Sequence, residues 1–225
     1  MTDTQHALKR AAALAAVDLV TSGMTLGLGT GSTAAIAVEE IGRRLADGVL
    51  RDIVGVPTSN ATQHLALACG IPLTTLEAHP VLDLTIDGAD EIDPAHRIIK
   101  GGGGALLREK IAASRSTRWV VIADPSKLVE RLGARYPVPV EVVRFGWKGH
   151  LDTLRALGAE PALRVAEGEP FVTDEGHYII DARFPNGIDD PAAIARALCG
   201  RPGIVDTGLF LDFRPEVIVP TQAAR

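Results

Sequence analysis

Between Asp87 and Lys110 the chain reads DGADEIDPAHRIIKGGGGALLREK, which combines four acids near its start, Lys100, four consecutive glycines and Glu109. Acid and lysine side chains beside successive glycines suit proton transfer at carbon. A carboxylate held against a small apolar surface can act as a general base, and a lysine with backbone amides can hold the oxyanion that proton abstraction creates. Residues without Cβ let the backbone approach a ligand closely and turn its N–H groups towards an anion. Glu109 taken alone reads as a solvated helix charge, since most glutamates lie on surfaces. The constellation around it favours the chemical reading.

These groups need elements to position them. The apolar run Val81–Ile86 (VLDLTI) predicts a buried strand ending at Asp87, and ligands in open α/β sheets collect at the carboxyl ends of strands. Asp87 and Asp90 are therefore expected at a rim. Ile98 and Ile99 predict a short strand that delivers Lys100 to Gly101, Gly102, Gly103 and Gly104. A helix beginning near Ala105 adds the positive end of its dipole at the same place. On that helix the i−4, i+3 and i+4 neighbours of Glu109 are Ala105, Ala112 and Ala113, so no ion pair along the helix surface consumes it. Arg108 and Lys110 lie at i±1 and face elsewhere.

Upstream, a helix over residues 4–21 carries Leu8, Ala11, Ala12, Ala15 and Leu19 on one side and ends at Gly23. A strand over Met24–Leu28 runs into Gly27-Leu28-Gly29-Thr30-Gly31-Ser32-Thr33, followed by a helix over Ala34–Leu45. Strand, glycine loop and helix is a geometry for phosphate capture. The loop is not a dinucleotide fingerprint. Counting from Gly27, the sixth position is Ser32, and the next strand, Ile53–Val56, ends in PTSN with no acid for a ribose hydroxyl. Nor is it a P-loop, which needs a lysine. What remains is a hydroxyl-rich loop for a phosphate or for sugar hydroxyls, with a purely structural glycine turn equally open. A further strand is expected over Ile71–Leu76. Trp119–Ala123 (WVVIA) is one more, with Asp124, Ser126 and Lys127 at its end.

The alternation predicts an α/β fold, a Rossmann-like, mainly parallel sheet domain with crossover helices. From Arg135 the rhythm changes to a strand (Val138–Val143), a helix (Lys148–Leu157), two strands (Ala162–Val165 and Tyr178–Ala182), a helix (Pro191–Cys199) and a strand (Ile204–Thr207). That order is a second, smaller ferredoxin-like α+β domain. Val217–Val219 returns to the main sheet, so the expected domains are residues 1–130 with 207–225, and residues 131–206. The second lacks an acid, lysine and glycine cluster and is expected to give support or subunit contacts.

A chain of 225 residues with 46% hydrophobic and 23% charged residues can bury its core without a disulfide or a metal. The net charge of −5 argues against a nucleic-acid partner, which calls for a basic face. Cys69 and Cys199 stand in no metal or redox spacing, which points to a reduced, cytoplasmic protein. No run reaches the roughly 20 apolar residues of a membrane span. The N-terminal run, interrupted by Lys9, Arg10 and Asp18, reads as an amphipathic helix and not as a signal peptide. DGADEID fails as an EF-hand because its third and sixth positions are Ala89 and Ile92, which leaves incidental Mg²⁺ at most.

DGADEID, KGGGGALLREK and GLGTGSTA closely resemble the signature segments of type A ribose-5-phosphate isomerases, as do ADPSK (Ala123–Lys127), PVPVEV (Pro137–Val142) and PGIVDTGLF (Pro202–Phe210). The resemblance implies reversible isomerisation of D-ribose 5-phosphate to D-ribulose 5-phosphate, with no cofactor and no metal, in a homodimer or homotetramer. It implies Glu109 as the base, with Asp87 and Lys100 as further catalytic groups. Asp87, Gly88, Ala89 and Asp90 would meet sugar hydroxyls, with Asp87 and Asp90 assisting ring opening. Lys100, Gly101, Gly102 and Gly103 would lie beside the reacting carbons, Thr30, Gly31, Ser32 and Thr33 would form a substrate loop, and Lys127 would bind substrate. Which of these hold phosphate and which hold C1 and C2 stays open. The chain departs from the commoner pattern at Gly104, Leu107, Asp93 and Pro125, where alanine, threonine, asparagine and a small residue are frequent; Leu107 bears on the packing under Glu109. Two other classes are weighed: a sugar-phosphate sensor, although no DNA-binding segment accompanies it, and an enzyme of the coenzyme A transferase type, which also pairs a glutamate with glycine loops.

Overall fold

The computed structural model describes residues 3–221. The chain divides into two compact units. One takes the chain up to Ala89, Arg108–Lys127 and the chain from Phe213; the other takes Asp90–Leu107 and Leu128–Asp212. This division differs from the expected domains chiefly by giving residues 90–107 to the second unit. The cause is strand pairing. Ile98–Ile99 pairs antiparallel with Glu91–Ile92 on one side and Leu209–Phe210 on the other, in a small three-stranded sheet separate from the parallel one.

The first unit holds a five-stranded sheet in the order Glu216–Ile218, Ser116–Ile122, Leu82–Asp87, Thr25–Leu28, Val54–Pro57, with every neighbour parallel. Strands covered on both faces read as apolar runs. In Leu82–Asp87 only Asp83 is exposed, and its carboxylate accepts the Thr25 amide at 2.7 Å. Helices Asp3–Val17 and Ser32–Ala46 pack together in one core that holds Ala12, Ala13 and Ala16 of the first and Ala37, Val38 and Ile41 of the second, and the alanines allow close approach. The first helix stops at Val17, short of residue 21, because Leu19 and Val20 donate to the carbonyls of Ala16 and Val17 and tighten the last turn.

The strand expected over Ile71–Leu76 does not form. Gly55 donates to the Pro72 carbonyl and accepts from Thr74, giving a single parallel bridge at Leu73 beside the edge strand. Pro72 has no N–H to extend the ladder.

The second unit follows the βαββαβ order. Its sheet runs Ile204–Thr207, Val138–Val142, Tyr178–Arg183, Glu160–Leu163, with antiparallel neighbours and the helices Gly149–Ala156 and Pro191–Leu198. This is the ferredoxin-like arrangement. Val138, Val140, Val142, Ile180 and Ala182 share a core with Leu154 and Leu198 of the helices, so Glu141 and Asp181 alternate onto the opposite face.

Two of the four acids in DGADEID serve this unit's architecture. Glu91, fully buried, accepts the amides of Gly133, Arg135 and Tyr136 at 2.6, 2.6 and 2.7 Å. Asp93 accepts the amides of Ala95 and Arg97 and the Arg97 guanidinium, closing a turn in which His96 takes a φ of 56°. Among the described residues no helix is long and apolar enough to cross a membrane.

Candidate active site

In the first unit, Asp87 ends the central strand of the sheet and is fully buried. Its Oδ1 accepts the amides of Gly88 at 2.7 Å and Thr30 at 3.1 Å, which ties it to the loop after the neighbouring strand. That closeness dictates the glycines. A Cβ at Gly29 would overlap Asp87, and one at Gly27 would overlap Thr85. Gly31 is required for another reason: a Cβ there would meet nothing, but the φ of 111° is hostile to side chains.

The Thr30 hydroxyl lies 2.8 Å from Thr58 Oγ1, 2.9 Å from Ser59 Oγ and 3.1 Å from Thr62 Oγ1, and the Thr62 hydroxyl donates to the Gly29 carbonyl. The loop is therefore clamped by hydroxyls. The helix Ser32–Ala46 starts from Gly31 with no side-chain cap, leaving its first-turn amides for an outside acceptor such as phosphate. Lys9, only 7% exposed, donates to Ser32 Oγ at 2.9 Å and brings a cation to this place.

After the neighbouring strand Ser116–Ile122, Asp124 accepts the Ser126 amide at 2.9 Å and the Gln5 side chain at 3.3 Å. Burial pushes the Asp124 carboxyl up, but hydrogen bonds from Ser126 and Gln5 and the charge of Lys9 outweigh it and hold the group below its ordinary value. Lys127 ends a short 3-10 turn here and is half-buried. Glu109, in the first turn of the helix Leu106–Ser114, is 4% exposed, and Ala112 and Ala113 are buried beside it in sequence. Arg108 turns to Asn60, at 2.9 Å.

In the second unit, Lys100 follows Ile98–Ile99 and is 2% exposed; its amide donates to Gly208 at 2.9 Å and its Nζ stands 6.0 Å from the centre of the Phe210 ring. The four glycine amides are not equivalent. Gly104 donates to the Gly101 carbonyl at 3.0 Å, and Gly102 donates to Asp90 Oδ2 at 2.7 Å. The amides of Gly101 and Gly103 reach no protein acceptor among the described residues. An amide cradle for an anion thus rests on those two.

The family model for ribose 5-phosphate isomerase A (phosphoriboisomerase A) matches residues 54–224. The chain is 58% identical over 215 residues to ribose-5-phosphate isomerase A of Roseiflexus castenholzii, across 95% of this chain and 92% of that protein. The chain belongs to the type A ribose-5-phosphate isomerase family. Among solved structures, ribose 5-phosphate isomerase of Plasmodium falciparum is 42% identical with a TM-score of 0.91, covering 94% of this chain and 93% of that one. A D-ribose-5-phosphate isomerase in complex with phospho-erythronic acid is 40% identical with a TM-score of 0.92, covering 97% and 95%.

Within this isomerase fold the expected residues fall into two sets. Thr30, Gly31, Ser32, Thr33, Asp87, Gly88, Ala89, Glu109 and Lys127 belong to the first unit; Asp90, Lys100, Gly101, Gly102 and Gly103 belong to the second. Direct hydrogen bonds join Thr30 to Asp87 in one and Gly102 to Asp90 in the other. Gly104 has a φ of 83°, and the Phe171 ring fills the space a Cβ there would take. A cavity of about 550 Å³ in the first unit, bounded by Val56, Leu73, Leu76, Ile111 and Ala112, contains none of the expected residues. Among the described residues no group of three or more His, Cys, Asp or Glu side chains could hold a metal ion. Sequence reasoning misses Lys9, which reads as a polar interruption of an apolar helix face and gains meaning only from its contact with Ser32.

Proposed function

We propose that this chain interconverts D-ribose 5-phosphate and D-ribulose 5-phosphate through an enediolate, with Glu109 carrying the proton between C2 and C1. The observation that carries the reading is Glu109 itself: a helix glutamate at 4% exposure, in a segment that matches the isomerase signature. Ionic side chains are seldom buried without purpose. The open-chain aldose loses its C2 proton to Glu109, charge develops on O1, and the same carboxyl returns the proton to C1. A second proton must pass from O2 to O1. Lys100 and the Gly103 amide are assigned to these oxygens, as electrostatic support where charge develops. Asp87 is assigned to ring opening and Asp90 to a sugar hydroxyl.

The uncapped helix start at Gly31–Thr33, with Lys9 and Lys127, is assigned to the phosphate. Support comes from the donors there: backbone amides, hydroxyls and lysine cations, in the first unit. That both sets of residues act on one sugar is part of the proposal. So are a cytoplasmic location, a place in the non-oxidative pentose phosphate pathway, and a homodimeric or homotetrameric state. The family resemblance supports all three, and the two free cysteines, Cys69 and Cys199, support the first.

A coupled assay for ribulose 5-phosphate, with purified protein and no added metal, tests the reading. Glu109→Gln is expected to lose about 10²–10⁴-fold in kcat while substrate still binds. Near-normal turnover in that variant would remove Glu109 as the base. A sensor would bind the sugar without turnover, and an acyl-transfer enzyme would exchange thioesters instead.

A further inference from the structure

The Gly101–Gly104 turn consists of the residue type least able to hold one backbone conformation, so its shape must be imposed from outside. Gly104 closes it onto the Gly101 carbonyl, and neither Gly102 nor Gly103 has a positive φ. Turn types II, I′ and II′ each require a positive φ at a central residue, so this turn is held as type I. With glycine at both central positions type II is also open to it, and the two forms differ by a flip of the central peptide, the Gly102 carbonyl with the Gly103 N–H.

Arg164 decides the orientation. Its Nη1 donates to the Gly101 carbonyl at 2.8 Å and to the Gly102 carbonyl at 3.2 Å. Both Asp181 oxygens hold the rest of the guanidinium, at 2.9 Å from Nε and 2.5 Å from Nη2. Its backbone is pinned as well, donating to Ile179 and accepting from Phe171 at 2.8 and 2.9 Å. In a planar trans peptide the N–H points away from the C=O. The Gly101–Gly102 peptide shows the polarity, with its carbonyl on Arg164 and its N–H on Asp90. The next carbonyl is on Arg164 too, which sends the Gly103 N–H to the side of Asp90.

We propose that Arg164, braced by Asp181, is a positioning residue that keeps the Gly102–Gly103 peptide from flipping, so that the Gly103 N–H stays aimed at the enediolate oxygen. A planar fork can hold two carbonyls and a bidentate carboxylate at once; an ammonium cannot. The inference rests on the isomerase reading above.

The test compares wild type, Arg164→Ala, Arg164→Lys and Asp181→Asn for kcat, KM and inhibition by a four-carbon phosphorylated sugar acid, whose carboxylate imitates the enediolate oxygens. Arg164→Ala is expected to lose about 10–100-fold in kcat with KM within about threefold, and to weaken the sugar acid in parallel with kcat. Arg164→Lys recovers part of the loss, and Asp181→Asn shows a smaller loss of the same pattern. A folded Arg164→Ala with wild-type kcat and sugar-acid affinity overturns the proposal, and so does a change confined to KM. If Arg164→Ala does not fold, Asp181→Asn decides by the same readouts. Absence of turnover in wild type would sink the isomerase reading itself. Normal wild-type turnover with an inactive Glu109→Gln and an unaffected Arg164→Ala would sink this inference alone.

Discussion

Gly27 and Gly29 in the first unit are glycines because Thr85 and Asp87 of the neighbouring strand already occupy the space of a side chain. In the second unit the nearest atoms a Cβ on Gly102 would meet belong to the Asp90 carboxylate, at 2.8–3.1 Å. The first loop is wedged between strands and locked by the hydroxyls of Thr30, Thr58, Ser59 and Thr62. The second turn is suspended between a carboxylate, Asp90, and a guanidinium, Arg164. Similar glycine-rich text therefore encodes packing in one place and orientation in the other. Substitution should damage stability in the first and turnover in the second.

Gly29→Ala is the sharpest way to break this contrast. Overlap with rigid strand atoms is expected to cost about 3 kcal/mol and lower Tm by roughly 6–12 °C in a thermal melt. An unchanged Tm would mean that the loop is freer than its packing implies. Gly102→Ala has the opposite signature: the displaced Asp90 carboxylate lowers kcat/KM about tenfold while Tm stays within about 2 °C. Thr30→Val keeps the shape of the side chain but breaks the hydroxyl cluster, at about 1–2 kcal/mol by urea unfolding; a loss in turnover without one in stability would move Thr30 from scaffold to substrate contact.

The smallest effect concerns pH, where the two units have opposite signs. The Arg43 guanidinium, with Arg44 and against the opposing pull of burial, holds Glu40 down at about 2 from an ordinary 4.5. That depressed value gives stability present above about 4.5 and lost as pH falls towards about 2. Burial instead pushes the Glu141 carboxyl up, with hydrogen bonds from His177 and Thr173 offsetting only part of it. Its unfolded form ionises first, so stability declines as pH rises from the ordinary carboxylate value to the raised one. Melts of Glu40→Gln and Glu141→Gln between pH 3 and pH 7 should show this. The Glu40→Gln penalty shrinks on acidification, and the stability of Glu141→Gln relative to wild type grows with pH, by no more than about 3 °C.

Elements with an unbroken apolar rhythm were legible: the strand ending at Asp87, the return strand at Glu216–Ile218, and the βαββαβ order after Arg135. Ile71–Leu76 was not, because apolar content looks the same whether a chain pairs along a ladder or touches it once beside a proline. At the site, the alanines at helical spacing around Glu109 pointed to a carboxylate held against a small apolar surface, and its 4% exposure agrees with that reading. The acids of DGADEID could not be sorted by type: Glu91 takes up the amides of Gly133, Arg135 and Tyr136, far along the chain, while Asp93 closes a local turn on Ala95 and Arg97, and residue type alone shows neither role. Lys9 and Arg164 were invisible because each acts on a loop far away along the chain.

Glu91 carries a warning for mutagenesis. An alanine scan of this segment scored by product formation alone would rank it with Asp87, although its job is finished before any sugar arrives: gathering the Gly133, Arg135 and Tyr136 amides. Recording soluble yield beside activity would tell a chain that never assembles from an enzyme that assembles and stays idle.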